Sequence, residues 1–136
     1  MANASPQCRL LGNRDNLIIG NRNAITRDPW PFFDVTGSKI IIEDDVVISS
    51  GVYILTHDHE FSKSNWRQLS HVNSDSPTVI RKKVFLGINA LIMPTCKIIG
   101  KCSVIAAGSV VTKNVPDYEI WAGNPAKKIS DVENCG

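Results

Sequence analysis

Aliphatic residues recur along this chain at every sixth position. Leu86, Ile92, Ile99, Ile105 and Val111 follow one another at intervals of six, with one interval of seven. Ile42, Ile48 and Ile54 keep the same step upstream, and Ile19 and Ile25 begin it. Four places beyond the later aliphatic residues stand Ala90, Cys96, Ser103 and Ser109, all small. Val46, Val52 and Asn23 hold the equivalent upstream positions. Glycine directly follows the aliphatic residue at Gly20, Gly87 and Gly100.

Neither common period accounts for this rhythm. An amphipathic helix repeats apolar residues at three and four, and a half-buried strand alternates at two. A unit of six suits a triangular coil, in which each short strand forms one side and a tight turn forms each corner. The large aliphatic residue fills the interior, and the small one lets the chain turn near the axis. Three units close one coil, and stacked coils bury continuous aliphatic columns, as in other solenoids. A β-sandwich of short strands is the competing architecture, but sandwiches do not hold a six-residue phase over so many units. The expected fold is all-β, one β-helix domain over residues 1–136, with a C-terminal tail over about 124–136.

The phase slips in three places. One residue is extra between Ile92 and Ile99, which predicts a bulge near Cys96–Ile98. The register is lost across Asp28-Pro29-Trp30-Pro31-Phe32-Phe33, so that corner is irregular. From His57 to about residue 78 no register survives, and this polar stretch holds His57, His59 and His71 together with Trp66 and Arg67. It reads as one long loop extruded from the coil, and loops of that length are often functional.

Composition narrows the function classes. The 136 residues carry a formal net charge of +2, and the only run of bases is Arg81-Lys82-Lys83, which speaks against a nucleic-acid partner. No apolar stretch approaches the ~18 residues a membrane span requires. The first residues lack the order of a signal peptide. Cys8, Cys96, Cys102 and Cys135 form no metal-binding spacing and are read as reduced thiols in a cytoplasm-like compartment. Asn3-Ala4-Ser5 then matches a glycosylation triplet by accident.

Three stretches resemble the hexapeptide-repeat acetyltransferases, above all the maltose and galactoside O-acetyltransferases and the sugar N-acetyltransferases. They are Ile48-Ser49-Ser50-Gly51-Val52-Tyr53-Ile54-Leu55-Thr56-His57, Val84-Phe85-Leu86-Gly87-Ile88-Asn89-Ala90, and the run from Val104 to Pro116 followed by Ala122-Gly123-Asn124-Pro125-Ala126-Lys127. The left hand of the coil is implied by this resemblance, since residue spacing does not fix it. The resemblance also implies an acetyl group moved from acetyl-CoA, as co-substrate and without a metal, to a hydroxyl or amine of a sugar or nucleotide-sugar. His57 occupies the place of the loop histidine that removes the acceptor's proton. An imidazole suits that task because its ordinary titration lies near neutrality.

By position, Gly87, Ala107, Thr112 and Lys113 match residues that flank the pantetheine arm, and Phe85, standing where relatives often carry Trp, is a further cofactor candidate through aromatic contact. Lys113, Lys127 and Lys128 are candidates for the CoA phosphates, and Trp121 for the adenine end or for plain rim packing. Asp58, His59 or Glu60 could orient the His57 ring; His71 has no assigned role. The segment Trp30–Phe33 and the loop around Trp66 could line an acceptor pocket. Relatives form homotrimers with the active site between neighbouring coils.

Two other classes use the same coil. A carbonic-anhydrase-type hydratase needs three histidines donated by adjacent subunits, whereas all three here lie in one loop. A non-catalytic solenoid scaffold predicts neither a need for His57 nor affinity for CoA.

Overall fold

The computed structural model describes residues 7–59, 69–70 and 76–136. The chain climbs in stacked coils of three short strands. The first coil comprises β1 (Arg9–Leu11), β2 (Leu17–Ile19) and β3 (Ala24–Ile25). The second comprises β4 (Phe32–Asp34), β5 (Ile40–Ile42) and β6 (Val47–Ile48). The third opens with β7 (Tyr53–Ile54), leaves the coil through an antiparallel pair, β8 (Asp58–His59) with β9 (Leu69–Ser70), and returns with β10 (Thr78–Ile80) and β11 (Phe85–Leu86). The fourth holds β12 (Leu91–Ile92), β13 (Ile98–Ile99) and β14 (Val104–Ile105). The last runs from β15 (Val110–Val111) past Val115 to β16 (Glu119–Gly123), and β17 (Ala126–Asp131) folds back antiparallel on β16.

Each strand pairs in parallel with its equivalents above and below, giving three faces. The aliphatic rhythm is the core. Phe33, Ile54, Ile92 and Val111 stack in register behind the first face. Ile19, Ile42, Ile80 and Ile99 do so behind the second, and Ile25, Ile48, Leu86 and Ile105 behind the third. From the second coil onward these side chains are fully buried. The small residues Ala90, Cys96, Ser103 and Ser109 are buried at the corners. Apolar area removed from water, at roughly 25 cal/mol per Å², makes these columns the main source of stability.

The glycines after the aliphatic positions are small because the next coil rests on them. A Cβ at Gly87 would lie 2.6 Å from the Ala107 nitrogen and 2.8 Å from the Ile105 oxygen. The extra residue between Ile92 and Ile99 is taken up at a corner, where Asn114 Oδ1 accepts from both Lys97 and Ile98 N–H, at 2.7 and 3.2 Å.

Within the tail over 124–136 the strand β17 forms a hairpin with β16, and residues 132–136 then run along the corner between the second and third faces. Val132 N–H donates to the Tyr118 carbonyl at 2.9 Å, and Lys83 Nζ to the Gly136 carbonyl at 3.3 Å. On that corner Cys102 and Cys135 form a disulfide, so the reading of four reduced thiols is corrected. The bond joins a turn residue to a tail residue 33 positions later, a pairing that carries no spacing motif. A cytoplasm-like compartment loses the support the cysteines lent it, because disulfides persist where conditions are oxidising. Cys8 and Cys96 remain free, and burial pushes their thiols up to about 11 and about 12. Neither is poised as a nucleophile. Among the described residues no helix is long and apolar enough to cross a membrane.

Candidate active site

His57 stands on the corner between the first and second faces, where the hairpin β8–β9 departs. Strand alternation brings its partner from the coil below. Phe33 points inward, opposite Ile54, so the next residue, Asp34, turns to the outer side of the strand. Its side chain is nonetheless completely buried, covered by the chain around Thr56 and His57. His57 Nδ1 meets Asp34 Oδ2 at 2.5 Å, and the His57 side chain keeps 25 % of its surface exposed.

A carboxylate buried this deeply needs donors, and Asp34 has a full set. Thr36 N–H and Thr36 Oγ1 donate to Oδ1 at 2.9 and 2.6 Å. Thr56 N–H and His57 N–H donate to Oδ2 at 3.0 and 3.1 Å. Burial, the largest single influence, raises the Asp34 pKa. The bonds from Thr36, Thr56 and His57 together outweigh it and hold the carboxyl below its ordinary value. Asp34 is therefore an anion at neutral pH and accepts from Nδ1–H. That bond fixes the tautomer, with the lone pair of the neutral ring on Nε2. Thr36 Oγ1 lies a further 3.0 Å from Nδ1 and ties the second carboxylate oxygen into the same arrangement.

The backbone around the pair is clamped as firmly. Thr56 Oγ1 donates to the Asp34 carbonyl at 2.7 Å and accepts from Gly37 N–H at 3.0 Å. Gly37 lies flat against this segment. A Cβ there would run into the Thr56 carbonyl oxygen and sit 2.7 Å from its carbon and 3.2 Å from His57 N. Gly37→Ala is expected to displace His57 relative to Asp34 and cost about 1–3 kcal/mol of stability, because backbone cannot yield as a side chain can. Thermal denaturation and turnover measured together check this; an unaltered Tm and rate would refute the clamp.

The predicted cofactor residues fall in two groups. Thr112 and Lys113 lie on the His57 corner, two coils higher, and line a cleft of about 190 Å³ with Trp121, Pro125, Ala126, Lys127 and Lys128. Lys128 is engaged with Glu119 at 3.3 Å and Asp131 at 2.8 Å, whereas Lys113 and Lys127 pair with no carboxylate among the described residues. Trp121 is half-buried against the core while also lining the cleft. Phe85 is exposed on an interior strand of the third face, and Gly87 and Ala107 lie at the corner between the third and first faces. Within one chain the whole first face separates these three from His57. A roomier cleft, about 510 Å³, opens beside the disulfide, but no predicted site residue lines it.

This geometry can be set beside known proteins. Over 96 residues the chain is 38 % identical to "Putative acetyltransferase YJL218W" of Saccharomyces cerevisiae, a match covering 71 % of this chain and 47 % of that protein. The galactoside acetyltransferase solved with coenzyme A superposes with a TM-score of 0.76 at 24 % identity, over 97 % of this chain and 62 % of that one. Such a match along nearly the whole coil decides the fold. This is the left-handed hexapeptide-repeat acetyltransferase fold. The polySia specific acetyltransferase NeuO has it too, with a TM-score of 0.69 at 30 % identity over 85 % of this chain and 48 % of that one. No protein-family model matches the chain. It spans about half the length of the curated relative first named.

Within this coil, Asp34 holds the His57 ring through Nδ1. Asp58, His59 and Glu60 were the sequence candidates. Glu60, Trp66, Arg67 and His71 lie outside the described residues, as does the His59 side chain. A signal for Asp34 existed: it is the one charge in Trp30-Pro31-Phe32-Phe33-Asp34-Val35, and a carboxylate in an apolar strand requires a partner.

Proposed function

We propose that this chain transfers an acetyl group from acetyl-CoA to a hydroxyl or amine of a sugar or nucleotide-sugar. The observation that carries the reading is the buried Asp34–His57 pair, at the corner where the hairpin leaves a coil of this fold. Galactoside acetyltransferase and the polySia specific enzyme act, by name, on sugars, which favours that acceptor class.

His57 Nε2 accepts the proton of the acceptor as its oxygen or nitrogen attacks the thioester carbonyl. Asp34 stabilises the imidazolium that forms and holds the ring in place. The tetrahedral intermediate collapses, the carbon–sulfur bond breaks, and the imidazolium returns its proton to the departing thiolate. The products are acetylated acceptor and free CoA, formed directly in a ternary complex. An acyl-cysteine intermediate is disfavoured by the burial of Cys96 and the raised thiols of both free cysteines. Proton removal of this kind is worth ~10²–10⁴-fold, and holding both substrates in line supplies much of the remaining acceleration.

Lys113, Lys127 and Trp121 are suited to the phosphates and adenine of the donor, since they line one cleft and neither lysine pairs with a carboxylate among the described residues. Phe85, Gly87 and Ala107 are assigned to the pantetheine arm of a donor bound by a neighbouring copy. The second face favours such a neighbour: Ile18, Ile41, Val79 and Ile98 form an outward column in register, with Ile18 46 % and Ile98 41 % exposed. A homotrimer burying this column would set His57 of one copy beside Phe85 and Ala107 of the next. Light scattering should give three times the chain mass; a monodisperse monomer would contradict that arrangement.

The reading is tested by thiol release from acetyl-CoA against a panel of sugars and nucleotide amino sugars. Acceptor-dependent release is expected, with KM for acetyl-CoA raised in Lys113→Ala/Lys127→Ala. Absence of release with every acceptor would count against the proposal.

A further inference from the structure

Resting on that reading, we infer that the Arg9 guanidinium receives an anionic group of the acceptor, a carboxylate or phosphate, while His57 acts on a hydroxyl or amine elsewhere on the molecule. Arg9 pairs in register with Phe32, and Phe32 with Tyr53, across the outer side of the first face. The Phe32 and Tyr53 rings stack with centroids 5.3 Å apart at 27°. The guanidinium carbon lies 5.8 Å from the Phe32 centroid and 5.3 Å from that of Tyr53. Arg9 Nε donates to the Trp30 carbonyl at 2.9 Å. The planar head is thus oriented from two sides by its own fold.

No carboxylate pairs with Arg9 among the described residues, and Nη2 is buried without an acceptor. A buried donor left without an acceptor is destabilising. An arginine placed only to cover two rings would turn its nitrogens to water. Nε is spent on the Trp30 carbonyl and Nη2 is closed off, so an incoming carboxylate or phosphate pairs with the guanidinium charge at the remaining nitrogen, Nη1.

Position makes the acceptor the fitting source. Phe32 and Asp34 lie two residues apart on one strand and one face, about 7 Å at the usual strand rise. Arg9 and the Asp34–His57 pair are therefore neighbours on the outer side of the first face. That spacing suits one sugar ring whose reactive group and charged substituent point to opposite ends. Tyr53, 38 % exposed, offers an aromatic wall for the ring between them.

The test compares acceptors differing only in charge, glucosamine with glucosamine 6-phosphate and galactose with galacturonate, for wild type, Arg9→Gln and Arg9→Lys. Arg9→Gln should lower the ratio of kcat/KM for anionic over neutral acceptor about 10- to 100-fold, with Arg9→Lys, which keeps the charge but not the planar head held on the two rings, in between. An equal fall for both acceptors would reduce Arg9 to a packing residue and overturn the inference. A rise confined to KM for acetyl-CoA would assign the anion to the donor's phosphates and overturn it as well. Calorimetric titration with the same sugars, without acetyl-CoA, separates this inference from the transfer reaction. The wild type should bind the anionic member of each pair more tightly and Arg9→Gln should lose that preference; equal affinities in wild type would refute the inference even if acetyl transfer stands.

Discussion

Asp34→Asn is expected to lower kcat by about 10²–10⁴-fold while leaving the coil folded. Asparagine is nearly isosteric, so the loss does not come from an empty space. It comes from hydrogen-bond polarity. Asp34 accepts from Thr36, Thr56 and His57 with both oxygens. An amide offers one oxygen and one NH₂, and either orientation turns a donor toward a donor. If the NH₂ faces Nδ1, the proton moves to Nε2 and the ring can no longer accept from the substrate. If it faces Thr36, the loop that carries the pair loses its anchor. Stability should fall by about 1–3 kcal/mol, the cost of a buried donor left unmatched. The pH dependence has a definite sign. The Asp34 carboxyl is held below its ordinary value in the folded chain, so its contribution is present above the unfolded value near 4 and is lost as pH falls through the lower folded value. Asp34→Asn removes that acid-dependent part, which urea denaturation at several pH values would register as a flatter profile.

His57→Ala should reduce kcat by a similar ~10²–10⁴-fold with little change in affinity for acetyl-CoA. The proposed donor contacts at Lys113 and Lys127 lie two coils away, beyond reach of the substitution. Stability should change modestly. A quarter of the His57 side chain is exposed, and its backbone N–H keeps the bond to Asp34. Isothermal titration with CoA beside turnover distinguishes lost chemistry from lost binding. A variant that bound CoA poorly and turned over normally when saturated would mean that His57 positions the donor.

The columns of the coil are legible in the sequence because packing in a solenoid is nearly one-dimensional. Ile42, Ile48 and Ile54 differ by six positions and point to one axis, so periodicity alone assigns each to a successive face. The corner at Asp28–Pro31 announces itself by loss of phase. Asp34 was less legible because its partner is one coil away, and the offset depends on how many residues that irregular corner consumes. The same reason hides the disulfide: nothing local ties Cys135 to Cys102 until β17 turns the chain back. The separation of Phe85, Gly87 and Ala107 from His57 by an entire face was also out of reach. Matching motifs place residues in order along a chain, while the corner each occupies follows from the winding.

The central claim is that Asp34 and His57 act as one proton-transfer unit in an acetyl transfer. It is tested most directly by the steady-state turnover of Asp34→Asn, His57→Ala and the double variant beside wild type, with one productive acceptor at saturating acetyl-CoA. Residues that work as a unit are strongly non-additive. The double variant should therefore be no slower than His57→Ala by more than about twofold. Losses that multiply, or a His57→Ala protein as fast as wild type, would contradict the account.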